Sequence, residues 1–415
     1  MNFIHTSDIH LGKTYRNSPG ESERYADFFS CLSGIVATAV REQVAAVLIG
    51  GDLFHVGQIL PKTFAKTIET LQPLKDVDIP CIAIEGNHDW IHRRDNISWM
   101  EALSQMGYIR LLRPSRTEDG GYHFDPFDAE TGMGGHIQIG DVNIYGLGYI
   151  GAQAGNHVER ICEAVNTGNN LLLFHVGIWT FSPVEIGNMK PEDAHRLAET
   201  FGYVALGHGH KPYIVETPQG KPYAYNPGSP ERVNFGEEKY AKGYFLVTAE
   251  DGNFTAEFKT TSPRPMLVAT INLEGATNVD EALERFTTQV KDLLPEGGEP
   301  RRPLLELKLV GKVAFHPFEL GRERLRLALD ELVSPLHLEI KNHLSLVSHS
   351  GDSERGKKSL NEIEQDVLHE LISAGSDYRG REDELVRLSL LLRDAVQKGD
   401  ADGDDLLALL DGNGG

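Results

Sequence analysis

The sequence predicts an α/β protein built as a layered sandwich, on two observations. Residues 1–260 alternate short apolar runs with helical patterns, the arrangement of a mainly parallel sheet with crossover helices. Five clusters of Asp, His, Asn and Gly close those runs: Asp8-Ile9-His10, Gly50-Gly51-Asp52, Gly86-Asn87-His88-Asp89, His175 and Gly207-His208-Gly209-His210. A carboxylate- and imidazole-rich set at strand ends is what two adjacent divalent cations need, and such a site points to phosphoester cleavage.

Taken in order, the apolar runs at 3–6, 46–49, 81–84, 171–174 and 204–206 read as buried strands. Helical patterns lie at 23–42, 61–71, 98–106, 158–165 and 192–199, with Pro61 and Pro191 where a helix would start. Segments 213–216, 223–225, 243–248 and 254–259 read as antiparallel strands joined by turns at Gln219-Gly220 and Asp251-Gly252. Residues 260–265 are a linker by composition.

A small α+β domain follows: strand 266–273, helix 279–294, loop 295–303, strand 304–310, helix 319–332 and strand 336–340. His316, His337 and His343 lack clustered acidic partners there and read as structural. Residues 348–358 are polar, and Ser359 with Glu362 forms a capping box for a helix carrying Leu360, Ile363, Val367 and Leu371. Leu385, Leu388, Leu392 and Val396 mark a second amphipathic helix, and Leu406, Leu407 and Leu410 a last apolar stretch. Asp400 to Asp404 resembles part of a calcium loop but lacks its glycine and closing glutamate, so it reads as a turn and helix start. The expected division is 1–260, 266–345, a linker at 346–358 and a helical segment at 359–411.

The chain has 415 residues, too many for one comfortable core. It contains no apolar run of the roughly 18 residues that a membrane span needs. It opens directly on a strand, without the basic and apolar regions of a secretory signal. Cys31, Cys81 and Cys162 are isolated and odd in number, which fits buried thiols in a reducing cytoplasm and argues against cysteine-bound zinc. The net charge of −21 excludes a general nucleic-acid sponge. Any affinity for DNA must come from a local patch, from the metals or from a partner.

Within the clusters, Asp8 and His10 are two apart, a spacing that puts both on one side of an extended strand. Asp52 follows two glycines and, having two oxygens, is the best candidate to bridge two cations. Asn87 offers a neutral oxygen, and His175 ends a strongly apolar strand. His208 and His210 repeat the two-residue spacing. A lone histidine after a strand is usually a packed residue; five clusters at strand ends are hard to explain as packing. The mixed oxygen and nitrogen donors suit manganese, iron or zinc better than calcium.

In order, Asp-x-His, Gly-Asp, Gly-Asn-His-Asp, a lone His and Gly-His-x-His resemble the calcineurin-like metallophosphoesterase superfamily. Thr6-Ser-Asp-Ile-His-Leu-Gly12, Gly51-Asp-Leu-Phe-His55, Gly86 to Asp89 and Asn226-Pro-Gly-Ser-Pro-Glu-Arg232 narrow the resemblance to SbcD-type double-strand-break repair exonuclease subunits. That resemblance implies a four-layer αββα sandwich with a small α+β capping, DNA-binding domain and C-terminal helices. It implies that Asp8, His10, Asp52 and His210 hold one ion, and Asp52, Asn87, His175 and His208 the other. His88 would position the scissile phosphate and protonate the leaving oxygen, and His55 would orient DNA in exonuclease action or support the site from behind. Asp89 would orient His88 or a neighbouring loop. The chain departs from the family in placing Gly209 between the last two histidines, which should loosen that loop without removing a donor.

The implied function is a nuclease, exonuclease and single-strand or hairpin endonuclease, dependent on two Mn2+ (or Fe2+, Zn2+ or Mg2+), serving DNA repair, recombination and replication. A small-molecule phosphodiesterase or phosphatase of the same superfamily, or a non-catalytic scaffold at DNA ends, is the alternative. Lys13, Arg16, Arg93, Arg94 and Arg232 follow the metal motifs and are either phosphate contacts or scattered surface charge. Phe64, Ile68, Leu71 and Trp99, Met100, Leu103 give two helices apolar faces, for a homodimer as the family suggests or for the core. The C-terminal helices either dock on the coiled coil of an SMC-like ATPase (SbcC in the family) or fold back on the chain.

Overall fold

Alternation along the buried strands decides the layering. Phe3, Leu48 and Ile82 enter one apolar core, while their neighbours Ile4, Val47, Ile49 and Ala83 enter another. The computed structural model describes residues 1–15, 18, 20–90, 97–181, 187–294, 301–347, 360–373 and 381–398.

The first sheet has seven strands, in the order Asn253–Thr260, Gly243–Glu250, Asn2–Thr6, Ala46–Ile49, Cys81–Ala83, Arg110–Leu112 and Met133–Gly134. From Asn2–Thr6 onward its strands are parallel; Gly243–Glu250 and Asn253–Thr260 extend it as an antiparallel hairpin. The second sheet has six strands, in the order Tyr213–Glu216, Pro222–Asn226, Tyr203–Leu206, Asn169–Phe174, Val142–Leu147 and His136–Ile139.

Ile84, Ile144, Leu171, Leu173, Tyr203 and Phe245 join Phe3 and Leu48 between the two sheets. Helices Glu21–Glu42, Pro61–Asp76 and Trp99–Gln105 cover the outside of the first sheet through Phe28, Leu32, Leu71, Met100 and Leu103. Helices Val158–Glu163 and Pro191–Leu197 cover the second through Val158, Ile161, Ala194 and Leu197. These layers are the expected αββα sandwich. Each fully buried Leu or Phe contributes about 1.5–3 kcal/mol of transfer free energy.

The sequence reading assigned no strands between 107 and 150, where the structure places four members of the two sheets. Arg110–Leu112 and Met133–Gly134 are too short to show a period. Val142–Leu147 is long enough to have been seen.

Leu71, Met100 and Leu103, read as one possible dimer face, are buried in this chain's own core. Phe64 and Trp99 are partly buried, with their rings 5.1 Å apart.

The small sheet runs Met266–Asn272, Leu304–Val313, His337–Leu346. Helices Val279–Leu293 and Arg322–Asp330 pack on it around Ile271, Phe286, Leu307 and Leu329. The helix expected at 319–332 is shorter because a 3-10 turn, Pro317–Leu320, precedes it, with Gly321 between.

Met1–Ser345 forms one compact unit, so the linker at 260–265 is no gap. Arg264, buried, grips Asp27 of helix Glu21–Glu42 with Nε and Nη2 at 2.6 and 2.8 Å. Arg24 binds Asp27 and Glu231 at 3.0 and 3.1 Å. Tyr15 stacks on His337 with ring centres 3.9 Å apart, which gives that histidine a packing role.

In the second unit, Leu346–Gly415, helices Leu360–Ser373 and Glu382–Lys398 pair through Arg393 with Glu364 and His369 with Asp383. Ser359 of the expected capping box, 400–404 and Leu406, Leu407 and Leu410 lie outside the described residues. Among the described residues, no helix is long and apolar enough to cross a membrane.

Candidate metal centre

Every arm of the site hangs from the carboxyl end of a parallel strand, where ligands gather in open α/β sheets. Asn2–Thr6 leads to Asp8 and His10, Ala46–Ile49 to Asp52, and Cys81–Ala83 to Asn87 and His88. From the facing sheet, Asn169–Phe174 leads to His175 and Tyr203–Leu206 to His208 and His210.

The extended-strand explanation for Asp8 and His10 does not hold. Their strand ends at Thr6, and both take left-handed backbone, with φ of 52° and 53°. Asp52 (51°) and His208 (80°) do the same. Such a conformation costs on the order of 1 kcal/mol for a residue with a Cβ, and it persists only where the surroundings enforce it. Here Asp8 N donates to Gly51 O at 3.1 Å and His10 N to Asp52 O at 3.0 Å. A tight turn, rather than strand alternation, aims both side chains. The neighbouring glycines are steric necessities: a Cβ on Gly51 (φ 101°) would stand 2.3 Å from His175 Nδ1, and one on Gly86 2.0 Å from Asp52 Oδ1.

Proton accounting tests whether the donor set fits cations. His175 Nδ1–H donates to Gly50 O at 2.7 Å, so its Nε2 presents a lone pair. That lone pair faces Asn87 Oδ1 at 3.2 Å and Asp52 Oδ2 at 3.6 Å. His208 Nδ1 also lies 2.9 Å from Asn87 Oδ1. On the other side, His210 Nδ1–H donates to Glu237 Oε1 at 2.7 Å, which turns its Nε2 toward His10 Nε2 at 3.0 Å and Asp8 Oδ1 at 3.8 Å. Electron-pair donors thus converge on two points.

Asp52 lies between them. Its Oδ2 is 3.9 Å from His10 Nε2 and 3.6 Å from His175 Nε2, while Oδ1 accepts the His88 N–H at 2.8 Å. Asp8, His10 and His210 can share one ion, and Asp8, Asp52 and His175 a second. The residues present therefore fit a pair of divalent cations.

Electrostatics agree. His175, 1 % exposed, is lowered to about 4 by burial, against the raising effect of Asp8. His10 lies well below the usual imidazole range, through burial and then the neighbouring His210, His88 and His55. Both are neutral, as ligation requires. Burial, with Asp8 and Asp89 nearby, pushes the Asp52 carboxyl well above the carboxylate range. A bound cation reverses that cost.

Asp89 is tied to backbone and fastens two loops together. Its Oδ1 accepts Phe54 N at 2.9 Å, and its Oδ2 accepts Gly86 N at 2.9 Å and Leu53 N at 3.3 Å. His88 donates Nδ1–H to His55 O at 2.7 Å, which directs Nε2 away from that bond. Its ring lies 4.8 Å from that of His10 and stacks on His55 at 5.5 Å. His55 is lowered to about 4 by burial, with Lys13 and His88 adding to the effect.

Of the candidate DNA contacts, Lys13 is half-buried next to this group, and its amine is lowered by burial and by Arg24. Arg232 is turned to the protein: its guanidinium donates to Arg264 O at 2.9 Å and Glu238 O at 3.4 Å. Its place in the motif reflects a structural clamp. Arg16, Arg93 and Arg94 lie outside the described residues.

Sequence reasoning missed the support of His210. Glu237 also accepts Lys242 Nζ at 2.5 Å, Val233 N at 3.0 Å and Ser229 Oγ at 3.2 Å. Burial would raise Glu237, but the His210 hydrogen bond and the Lys242 charge outweigh it and hold the carboxyl down to about 2. The Pro-Gly-Ser-Pro motif, which contains Ser229, was the available signal. His5 was missed too: buried beneath the site, it bridges the sheets to Tyr203 Oη and Leu206 O, each at 3.0 Å.

Comparison with known proteins bears on this site. Residues 1–212 match the calcineurin-like phosphoesterase family. The DNA double-strand break repair protein Mre11 of Saccharolobus solfataricus is 26% identical over 325 residues, covering 75% of this chain and 79% of that protein. Mre11 of Sulfolobus acidocaldarius is 26% identical over 322 residues, covering 75% and 76%. Mre11 of Haloferax volcanii is 28% identical over 292 residues, covering 70% and 58%. A solved dimetal phosphatase from Danio rerio covers 63% of this chain and 96% of its own at 11% identity and a TM-score of 0.37, too loose a superposition to bear on the argument. The chain belongs to the calcineurin-like phosphoesterase family, and it is similar there to the Mre11 double-strand-break repair proteins.

Proposed function

We propose that this chain is a two-metal DNA nuclease, cutting as an exonuclease and as an endonuclease on single strands and hairpins, with manganese as its metal. The position of Asp52 Oδ2 between the two donor groups carries this reading. Asp8, His10, Asp52 and His210 hold one ion, and Asp52, Asn87, His175 and His208 the other. When bound, two such ions lower the pKa of a water and neutralise phosphate oxygens.

The chain's own residues supply the rest. The His88 ring, held by His55 O, keeps Nε2 for the scissile phosphate and gives a proton to the leaving oxygen when the ring is charged. His55 backs His88 through their stacked rings and orients the strand. Lys13 contacts backbone phosphate. Glu237 keeps the His210 ring in the tautomer that presents Nε2.

The similarity to Mre11 double-strand break repair proteins supports DNA as substrate and repair as the setting; the reading extends to recombination and replication, in the cytoplasm. Residues 266–345 then serve as a capping, DNA-binding module. The helices within 359–411, joined to the rest of the chain by the linker at 346–358, hold an SMC-like ATPase, and two copies of the chain act together.

The test is hydrolysis of a labelled duplex and of bis-p-nitrophenyl phosphate with manganese, by wild type, His88→Ala and Asp52→Ala. Cleavage of the small ester but never of DNA, even with the ATPase added, would favour a small-molecule phosphodiesterase. DNA binding without hydrolysis of either would leave a scaffold. A large ATPase should copurify with the full chain and be lost on truncation at residue 346.

A further inference from the structure

We propose that a cavity beside the metal centre, walled by Trp90 and Tyr149, takes one unpaired nucleobase of the strand being cut, an inference that rests on the nuclease reading.

Trp90 stands two residues beyond His88 and is 56% exposed, a large apolar ring left in solvent at the rim of a polar site. Its ring meets that of Tyr149 edge-on, 5.7 Å between centres. Tyr149 in turn lies 5.5 Å from His208 and 6.1 Å from His175. The aromatic pair therefore begins where the candidate ligands end.

The cavity next to the pair measures about 210 Å³, and its described lining also includes Glu85, Arg113, Arg116, Tyr122 and Ile150. Pockets for drug-sized ligands hold about 300–1,000 Å³. This one is smaller, suited to a single ring system and too small for a base pair.

The geometry of its two guanidiniums favours a base over a phosphate. Arg113 donates to Glu85 at 2.8 Å and Glu101 at 3.3 Å, so its guanidinium is already matched by carboxylates. Arg116 lies flat over Tyr122, 4.1 Å from the ring centre. Among the described residues, the wall offers planar π surfaces and the flat face of the Arg116 guanidinium, which is spread over a ring rather than held by a carboxylate. A planar ring stacks on such surfaces, whereas a phosphate dianion finds there a single guanidinium already engaged with a ring face. Bases stack on aromatic side chains whatever their sequence.

One consequence concerns substrate choice. A base can enter only after leaving its helical stack, and this is easiest where it is unpaired. The cavity thus favours hairpin tips, frayed ends and single strands over the interior of a duplex.

The test uses the full chain and two oligonucleotides that differ only in whether the nucleotide next to the cleaved bond carries thymine or an abasic analogue. With wild type, kcat/KM should be about 10-fold higher when the base is present, most of it in KM. In Trp90→Ala the two should be cut within about twofold of each other. Equal cutting of both by wild type, or unchanged discrimination in the variant, overturns the proposal.

A binding measurement needs no chemistry. Thymidine 5′-monophosphate should quench tryptophan fluorescence and 2-deoxyribose 5-phosphate should not, and the quench should vanish in Trp90→Ala. If no DNA is cut at all, the nuclease reading fails and this measurement alone decides the cavity. A quench confined to the base-bearing probe and to Trp90 supports it; its absence overturns it.

Discussion

Replacing Glu237 by glutamine separates two things that one carboxylate does. Lys242 is 2 % exposed, and its Nζ is held by Glu237 at 2.5 Å, Ser229 Oγ at 2.7 Å and His210 O at 3.1 Å. Without the carboxylate the ammonium keeps two neutral acceptors and loses its counter-charge. Breaking one side of a buried pair costs about 3–5 kcal/mol. His210 Nδ1 meanwhile exchanges a charged acceptor for a neutral amide oxygen. Loss of such support typically lowers metal affinity about 10- to 100-fold.

Glu237→Gln should therefore shift the urea midpoint down by the equivalent of about 3 kcal/mol and weaken manganese binding at least about 10-fold in calorimetric titration. Adding Lys242→Met removes the stranded charge. The double variant should regain most of the stability while its manganese affinity stays low.

The sign with pH follows from Glu237, which is held down to about 2 from the ordinary 4.5. Its contribution is complete above the ordinary value and is lost as pH falls toward 2. The variants should show a flatter acid limb in that window. A single variant with the midpoint and manganese affinity of wild type would refute the reasoning, as would a double variant less stable than the single.

Other outcomes follow from the same geometry. His88→Ala should lower kcat on bis-p-nitrophenyl phosphate about 100- to 10,000-fold while calorimetry finds manganese binding unchanged, because His88 assists without ligating. Gly86→Ala should abolish tight manganese binding, since the added Cβ would meet Asp52 Oδ1 at 2.0 Å; wild-type affinity would show that the loop yields. In metal-stripped protein, His5 and His175, both lowered to about 4 by burial, are bound neutral while the unfolded chain takes up protons. Stability should then fall as pH drops from 6.5 toward 4, on the order of 3 kcal/mol for each, and urea melts of His5→Gln should show a shallower fall.

Much of this site was readable along the chain because chemistry and folding ask for the same residues at the same places. Apolar runs of strand length, most of them ended by Gly with Asp, Asn or His, disclosed an α/β sandwich and the candidate ligands, and the quoted motifs disclosed the family and with it the αββα layering. Some choices were open to the sequence alone. The same helical apolar pattern serves a dimer face or a core, and packing sent Leu71, Met100 and Leu103 to the core. Arg232 follows a functional motif, yet its guanidinium clamps backbone carbonyls.

Local sequence determined the elements, the donors and their order, since each depends on neighbours a few residues away. Tertiary structure alone decided how the donors are aimed. Asp8, His10 and Asp52 point inward through left-handed turns held by distant backbone, and His208 through one whose N–H is held by the Asp8 carboxylate, none of which strand periodicity encodes. It also decided who stands behind them: Glu237 reaches His210 across 27 residues, and Tyr149, just past strand Val142–Leu147, reaches His208 from two strands away in the same sheet. Hydrogen bonds and ring contacts between segments remote in sequence follow from through-space distance, and that exists only once the strands have paired and the sheets have packed.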